Sequence, residues 1–157
     1  MKKLKQTVKA SAFLIATFLL CSPNAQAQYT GAGLLVDVGD GGTMVGPHVK
    51  HFFTGNNALE GSVLFGSGLT MIQAMYGFHS DLGGADGLKW YVGGGPGIAF
   101  GKGGGTAFSL APMIGLDYKI GQVPLALSAD WRPRFLMADG ESAFSAARFA
   151  LGLRFTF

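Results

Sequence analysis

The end of the chain alternates strictly between apolar and small or polar residues. Phe149, Leu151, Leu153, Phe155 and Phe157 are separated by Ala150, Gly152, Arg154 and Thr156. A spacing of two places all five apolar side chains on one face of a β-strand. The same alternation runs through 123–136, where Leu125, Leu127, Ala129, Trp131, Pro133 and Phe135 oppose Ala126, Ser128, Asp130, Arg132 and Arg134. In 107–120, Leu110, Pro112, Ile114, Leu116 and Tyr118 oppose Ser109, Ala111, Met113, Gly115, Asp117 and Lys119. Clusters of Gly, Asn, Asp and Ser divide the chain into eight such segments: 31–38, 44–53, 57–66, 69–79, 88–100, 107–120, 123–136 and 143–157.

One face of these strands is oily and the other is small, glycine-rich or charged. A soluble barrel or sandwich would enclose the oily face. The narrow interior of an eight-stranded barrel instead suits small and ionic residues, while lipid suits aliphatic and aromatic ones. Composition decides between the two. Hydrophobic residues make up 48% of the chain and charged residues only 13%, about half the ~25% typical of soluble domains. A soluble protein so poor in charge would expose a large apolar surface to water. Beyond residue 28 no apolar run is long enough for a membrane helix. Only a closed barrel then satisfies every backbone N–H and C=O inside a bilayer. The predicted fold is all-β: an eight-stranded antiparallel transmembrane up-and-down β-barrel preceded by a cleavable signal peptide. Pro47, Pro96, Pro112 and Pro133 fall inside predicted strands and require bulges or strand ends, because proline removes a ladder donor. Aromatic girdles are expected at Trp90, Tyr91, Tyr118, Phe155 and Phe157 on one side, and at Phe65, Phe100, Phe108 and Phe135 on the other.

The first residues have the form of a secretory signal. Lys2, Lys3, Lys5 and Lys9 precede an apolar stretch from Ala10 to Leu20, and Ala25-Gln26-Ala27 offers a small-x-small cleavage site. Residues 1–27 are expected to be removed, leaving 28–157 as the barrel domain. Cys21, the one cysteine, would leave with them, so the mature chain would hold no disulfide and no thiol nucleophile. Four of the twelve Lys and Arg residues lie in that segment and none of the nine acids does. The net charge of +3 therefore becomes −1 for residues 28–157, and no case for nucleic-acid binding survives.

Charges on the small-residue face are the candidate site. A hairpin centred on 54–56 puts Lys50 opposite Glu60; one centred near Asp139 puts Asp130 opposite Arg148. Arg132, Arg134 and Arg154 add positive charge, and Asp37 and Asp117 add negative. Charges removed from water need partners, so these residues are expected to form an ionic network that plugs the barrel. A selectivity constriction in a narrow pore is the functional alternative. His48 and His51 point to opposite faces of one strand, which makes a poor metal site. His79, Ser80 and Asp81 are neighbours in an expected turn, an arrangement that rarely makes a catalytic triad. The runs Gly93–Gly95 and Gly103–Gly105 lack the Lys-Ser/Thr and the helix of a phosphate loop.

The stretches VKHFFTGNNALEG (49–61), GLKWYVGGGPGIAFG (87–101) and GLDYKIGQVPLALSADWRPRF (115–135) resemble small outer-membrane β-barrel proteins of Bacteroidetes. The resemblance implies the fold and a location in the outer membrane of a Gram-negative cell envelope. It carries over no functional residue. Phe149, Leu151, Leu153, Phe155 and Phe157 resemble the C-terminal assembly signal by which the barrel assembly machinery receives such proteins. The expected partners are that machinery and the bilayer itself, with the chain otherwise a monomer, without cofactor and not an enzyme. The expected role is structural or interactive; a narrow ion channel and a membrane-embedded lipid-modifying enzyme are the alternatives.

Overall fold

The computed structural model describes residues 29–138 and 140–157. The expected signal segment, Cys21, the boundary after Ala27, and Asp139 lie outside the described residues. Ten strand segments follow one another: β1 (Thr30–Gly39), β2 (Met44–Phe52), β3 (Asn57–Gly66), β4 (Leu69–Asp81), β5 (Leu88–Gly101), β6 (Thr106–Lys119), β7 (Leu125–Trp131), β8 (Arg134–Ala138), β9 (Glu141–Ser145) and β10 (Arg148–Thr156). Each of β1 to β6 pairs antiparallel with the next. β6 then pairs with β7 and β8 in turn, β7 with β10, and β10 with β1, which closes the ring. β7 with β8, and β9 with β10, are the two halves of single barrel strands. The chain is a closed antiparallel barrel of eight strands.

The two interrupted strands differ from the unbroken 123–136 and 143–157 that alternation predicts. Proline explains the interruption. Pairing of β6 with its neighbour jumps from Leu110↔Phe135 to Ile114↔Trp131, and both Pro112 and Pro133 lie in that gap. The facing strand breaks at the same height, after Ser145. The Trp131 indole N–H donates to Ala146 O at 2.7 Å, and Arg132 N–H donates to Arg148 O at 3.0 Å, which stitches the break. Pro47 pairs with Leu34 of β1, but β2–β3 pairing skips from Val45↔Phe65 to His48↔Ser62. Pro96 pairs with Leu110 of β6, but β4–β5 pairing skips from Gln73↔Gly97 to Tyr76↔Gly94. Each proline thus sits where the ladder asks for no donor on one side. A glycine precedes two of them. A Cβ on Gly46 would stand 1.9 Å from Val63 O, and one on Gly95 2.0 Å from Ala74 O, so these backbones approach closer than any other residue allows.

The pleat is turned as alternation predicts. Leu127, Leu151 and Leu153 are among the large apolar residues on the outer wall, while Arg132 and Arg154 are fully enclosed. β1 begins beside the end of β10, with Gly31 opposite Thr156, so both described ends lie at one rim. The turns at that rim are 53–56, 82–87 and 120–124, and those at the other are 40–43, 67–68, 102–105 and the one that contains Gly140. Tyr91 is a correction to the girdle. It points into the lumen and is completely buried, because it shares the inward face of β5 with Gly93 and Gly95. The other girdle aromatics lie on the outer wall, with Phe108, Phe155 and Phe157 more than half exposed.

Candidate functional site: the ionic lumen

Inward positions of β1, β2, β3, β6, β7, β8 and β10, with Arg132 between β7 and β8, carry the charges, and glycine is frequent on the inward faces of β1 and β5. Gly33, Gly93, Gly95 and Gly97 leave the width that long side chains need. Two ionic layers result, one toward the rim that holds the chain ends and one toward the opposite rim.

The first layer contains Lys50, Arg132 and Arg154 against Glu60, Asp117 and Asp130. Lys50 opposes Glu60 in the β2–β3 ladder, and its Nζ lies 3.3 Å from Glu60 Oε2 and 2.9 Å from Asp117 Oδ2. Arg154 Nη2 donates to both oxygens of Asp117, at 2.7 and 2.6 Å. Arg132 Nη2 donates to Asp130 Oδ2 at 2.6 Å and to Glu60 Oε1 at 3.2 Å. All six side chains are buried. The three cations match the three carboxylates, so the layer is neutral. Tyr91 adds a hydroxyl that donates to Asp130 Oδ2 at 2.6 Å, and its ring lies 4.3 Å beneath Lys50 Nζ.

The second layer contains Asp37, Arg134 and Arg148. Arg134 Nη2 donates to Asp37 Oδ2 at 2.6 Å, and Arg148 Nη2 donates to Asp37 Oδ1 at 2.7 Å. Arg148 also donates to the backbone carbonyl of Asp40. The pairing of Asp130 with Arg148 expected from the last hairpin does not form. Asp130 stands opposite Ala150, and Arg148 stands opposite Gly39 of β1. The breaks at Arg132–Pro133 and Ala146–Ala147 shift the register by two residues, and Arg148 turns to the carboxylate on its other side.

Apolar side chains fill the remaining interior. Leu35, Met44, Leu64, Met71, Ala99 and Ala150 form one buried cluster. Met75, Tyr91, Ala111 and Met113 form another. At the rim of the chain ends, Tyr29 stacks on Phe52 at 4.4 Å, Phe52 meets His79 edge-on at 4.7 Å, and His79 stacks on Tyr91 at 4.7 Å. His79 is therefore a lumen residue on an inward position of β4, which continues to Asp81, and not part of a turn. His48 is also inward, with Nε2 at 3.3 Å from Glu60 Oε2. His51 faces away and pairs with Thr30 Oγ1 at 2.8 Å. The period-two pattern held the signal for His48, His79 and Tyr91, since each shares a face with a luminal charge or glycine. Among the described residues no group of three His, Cys, Asp or Glu side chains converges to hold a metal.

The residues of the expected assembly signal line the outer wall of β10. Phe149, Leu151, Leu153, Phe155 and Phe157 are each half exposed or more. A concavity of about 800 Å3 on the same wall is lined by Leu34, Val36, Leu116, Leu127, Leu151 and Leu153, among others.

Solved structures share this architecture. The N-terminal β-barrel domain of Pseudomonas aeruginosa OprF matches with a TM-score of 0.60 at 15% identity, over 85% of this chain and 100% of that one. A de novo designed transmembrane β-barrel gives 0.58 at 13% identity, over 87% and 100%. Neisserial surface protein A gives 0.52 at 14% identity, over 85% and 97%. The fold is that of an outer-membrane β-barrel. Its oily exterior and ionic interior are the surfaces that such a fold presents to lipid and to its own axis. No protein-family model matches the chain, and no curated protein sequence matches it.

Proposed function

We propose that this chain is an integral barrel of the outer membrane with a structural or interaction role in the cell envelope, its interior plugged by side chains. The observation that carries this reading is the neutral first layer. Three cations and three carboxylates meet across the lumen at 2.5–3.3 Å, beside the buried cluster of Met75, Tyr91, Ala111 and Met113. An ion crossing the barrel would have to displace buried salt bridges, and breaking one by removing a partner costs about 3–5 kcal/mol. The outer wall offers apolar contact to lipid, and the concavity there presents Tyr118 as its polar side chain, since Ser128, which also borders it, turns its hydroxyl into the lumen. This supports a non-enzymatic role over lipid modification. The Bacteroidetes resemblance, reception by the barrel assembly machinery through β10, and a monomeric state belong to the same proposal.

Recording from the purified protein in planar bilayers tests it. The expected result is no reproducible unitary conductance. Ion-selective openings that change on Arg132→Ala would establish the narrow-channel reading instead. Deletion of the gene followed by analysis of envelope lipids tests the enzyme alternative, and an altered acylation pattern would favour it.

A further inference from the structure

Between the two ionic layers lies a row of buried polar atoms without partners. Among the described residues, Ser62 Oγ, Gln73 Nε2, Arg134 Nε and Arg132 Nη1 each find no hydrogen-bond partner. Their side chains are enclosed, from 1% exposure at Arg132 to 5% at Ser62. Ser62 and Gln73 face each other across β3 and β4. Arg134 reaches them from the far wall, with Nη2 at 3.5 Å from Gln73 Oε1. Three of the four orphans are obligate donors, and the fourth is a hydroxyl that can donate.

Charge is also unbalanced at this height. The first layer is neutral, but among the described residues Arg134 and Arg148 share one carboxylate, that of Asp37. Asp40, at the exposed rim, accepts from Ala147 N–H at 3.2 Å and forms no ion pair with either guanidinium. A buried site with surplus positive charge and several idle donors calls for an occupant that accepts hydrogen bonds and carries negative charge. Water could use Ser62 Oγ and Gln73 Oε1 as acceptors but brings no charge to offset the second guanidinium, so the surplus favours an anion. Space limits the size. A Cβ on Gly97, opposite Gln73, would stand 2.6 Å from Ser109 Oγ and 3.3 Å from Gln73 Cβ, so the interior is tight at this height and an occupant has to be small.

We propose that Ser62, Gln73 and Arg134 hold one monatomic anion, a halide such as chloride, inside the barrel. It completes the hydrogen bonding of Arg134 and Gln73 and balances the second layer. This goes beyond the plugged-barrel reading, which stands or falls separately on conductance. The anion is enclosed as the barrel closes, so the protein must be refolded in the salt under test.

The probe is sodium bromide, with sodium gluconate at equal ionic strength as the control, because gluconate is too large to enter. The full-length barrel refolded in bromide should melt several degrees higher than in gluconate, as a ligand bound only to the folded state requires. Crystals grown from bromide should show an anomalous peak within hydrogen-bonding distance of Arg134 Nε. Gln73→Leu, which removes a donor but keeps the charges, should abolish most of the salt-specific shift. Equal melting in both salts, or a shift that survives unchanged in Gln73→Leu, would overturn the proposal. So would an ordered water without anomalous signal at the wild-type site, a result that does not depend on any variant folding.

Discussion

Asp117 is the hub of the lumen. It binds Lys50 and Arg154 together, at 2.9 and 2.6 Å, and is buried with both. Its replacement by Asn leaves two enclosed cations with one carboxylate fewer. The expected cost is about 3–5 kcal/mol, read as a lower denaturant midpoint for loss of the heat-modifiable folded form on a gel. Asp81 is the internal control. It pairs with Lys89 at 2.7 Å, but its side chain is 81% exposed, so Asp81→Ala should change stability by only about 0–1 kcal/mol. Equal effects of the two substitutions would mean that the lumen is wet and the network screened. At this scale the sequence was legible wherever a regular turn sets the register. Lys50 and Glu60 flank the short turn between β2 and β3, so their opposition follows from counting. Asp130 and Arg148 flank two strand breaks, and counting fails there by two residues. Tyr91 and His79 have aromatic rings that fit a membrane interface as well as a lumen, and only their parity with Gly93 and Gly77 distinguishes the two.

Elements show how the barrel tolerates proline and where it is weakest. Gly46-Pro47 and Gly95-Pro96 are bends at which a glycine lets the strand approach its neighbour and a proline occupies the unpaired position beside it. Alternation along the sequence gave the strands and their faces, but not these bends, because a bend depends on which neighbour lies across the ladder. Gly95→Ala should destabilise by about 1–3 kcal/mol through overpacking against β4, since the new methyl would stand 2.0 Å from Ala74 O. Gly61, with nothing within 4 Å of its would-be Cβ, should accept Ala at no measurable cost in the same unfolding assay. The β8–β9 hairpin is held differently from the rest. Among the described residues β9 pairs with β8 alone, and β8 reaches β6 through three residue pairs. Few shared ladders mean a low free energy of local opening. Amide exchange in Glu141–Ser145 should therefore be complete well before exchange in Arg148–Thr156, which is paired on both sides. Matching protection in the two segments would show that something covers the edge of β9.

For the whole molecule, the decisive property is that the pleat turns its oily face outward around the full ring. That was legible in advance because an inside-out barrel leaves a compositional trace: few charges, and those within the strands mostly on the face that also carries the glycines. Position along the barrel axis is a further consequence that can be measured. Leu151 lies midway along β10, whereas Phe157 lies just beyond its end at the rim. An arginine on the lipid-facing wall costs about 2–4 kcal/mol at the bilayer midplane and about 0–1 kcal/mol near an interface. Leu151→Arg should thus destabilise the barrel strongly in phospholipid vesicles, and Phe157→Arg hardly at all. Both residues are 56% exposed, so a protein surrounded by water would treat the two substitutions alike. Phe157 N–H and C=O bond to Thr30, at 2.9 and 3.1 Å, and the substitution leaves that closure in place. Reversible unfolding of the two variants in vesicles of one lipid composition therefore reads depth alone. A flat response would place β10 outside the hydrocarbon, and with it the wall that Leu34, Leu127 and Leu153 share with it.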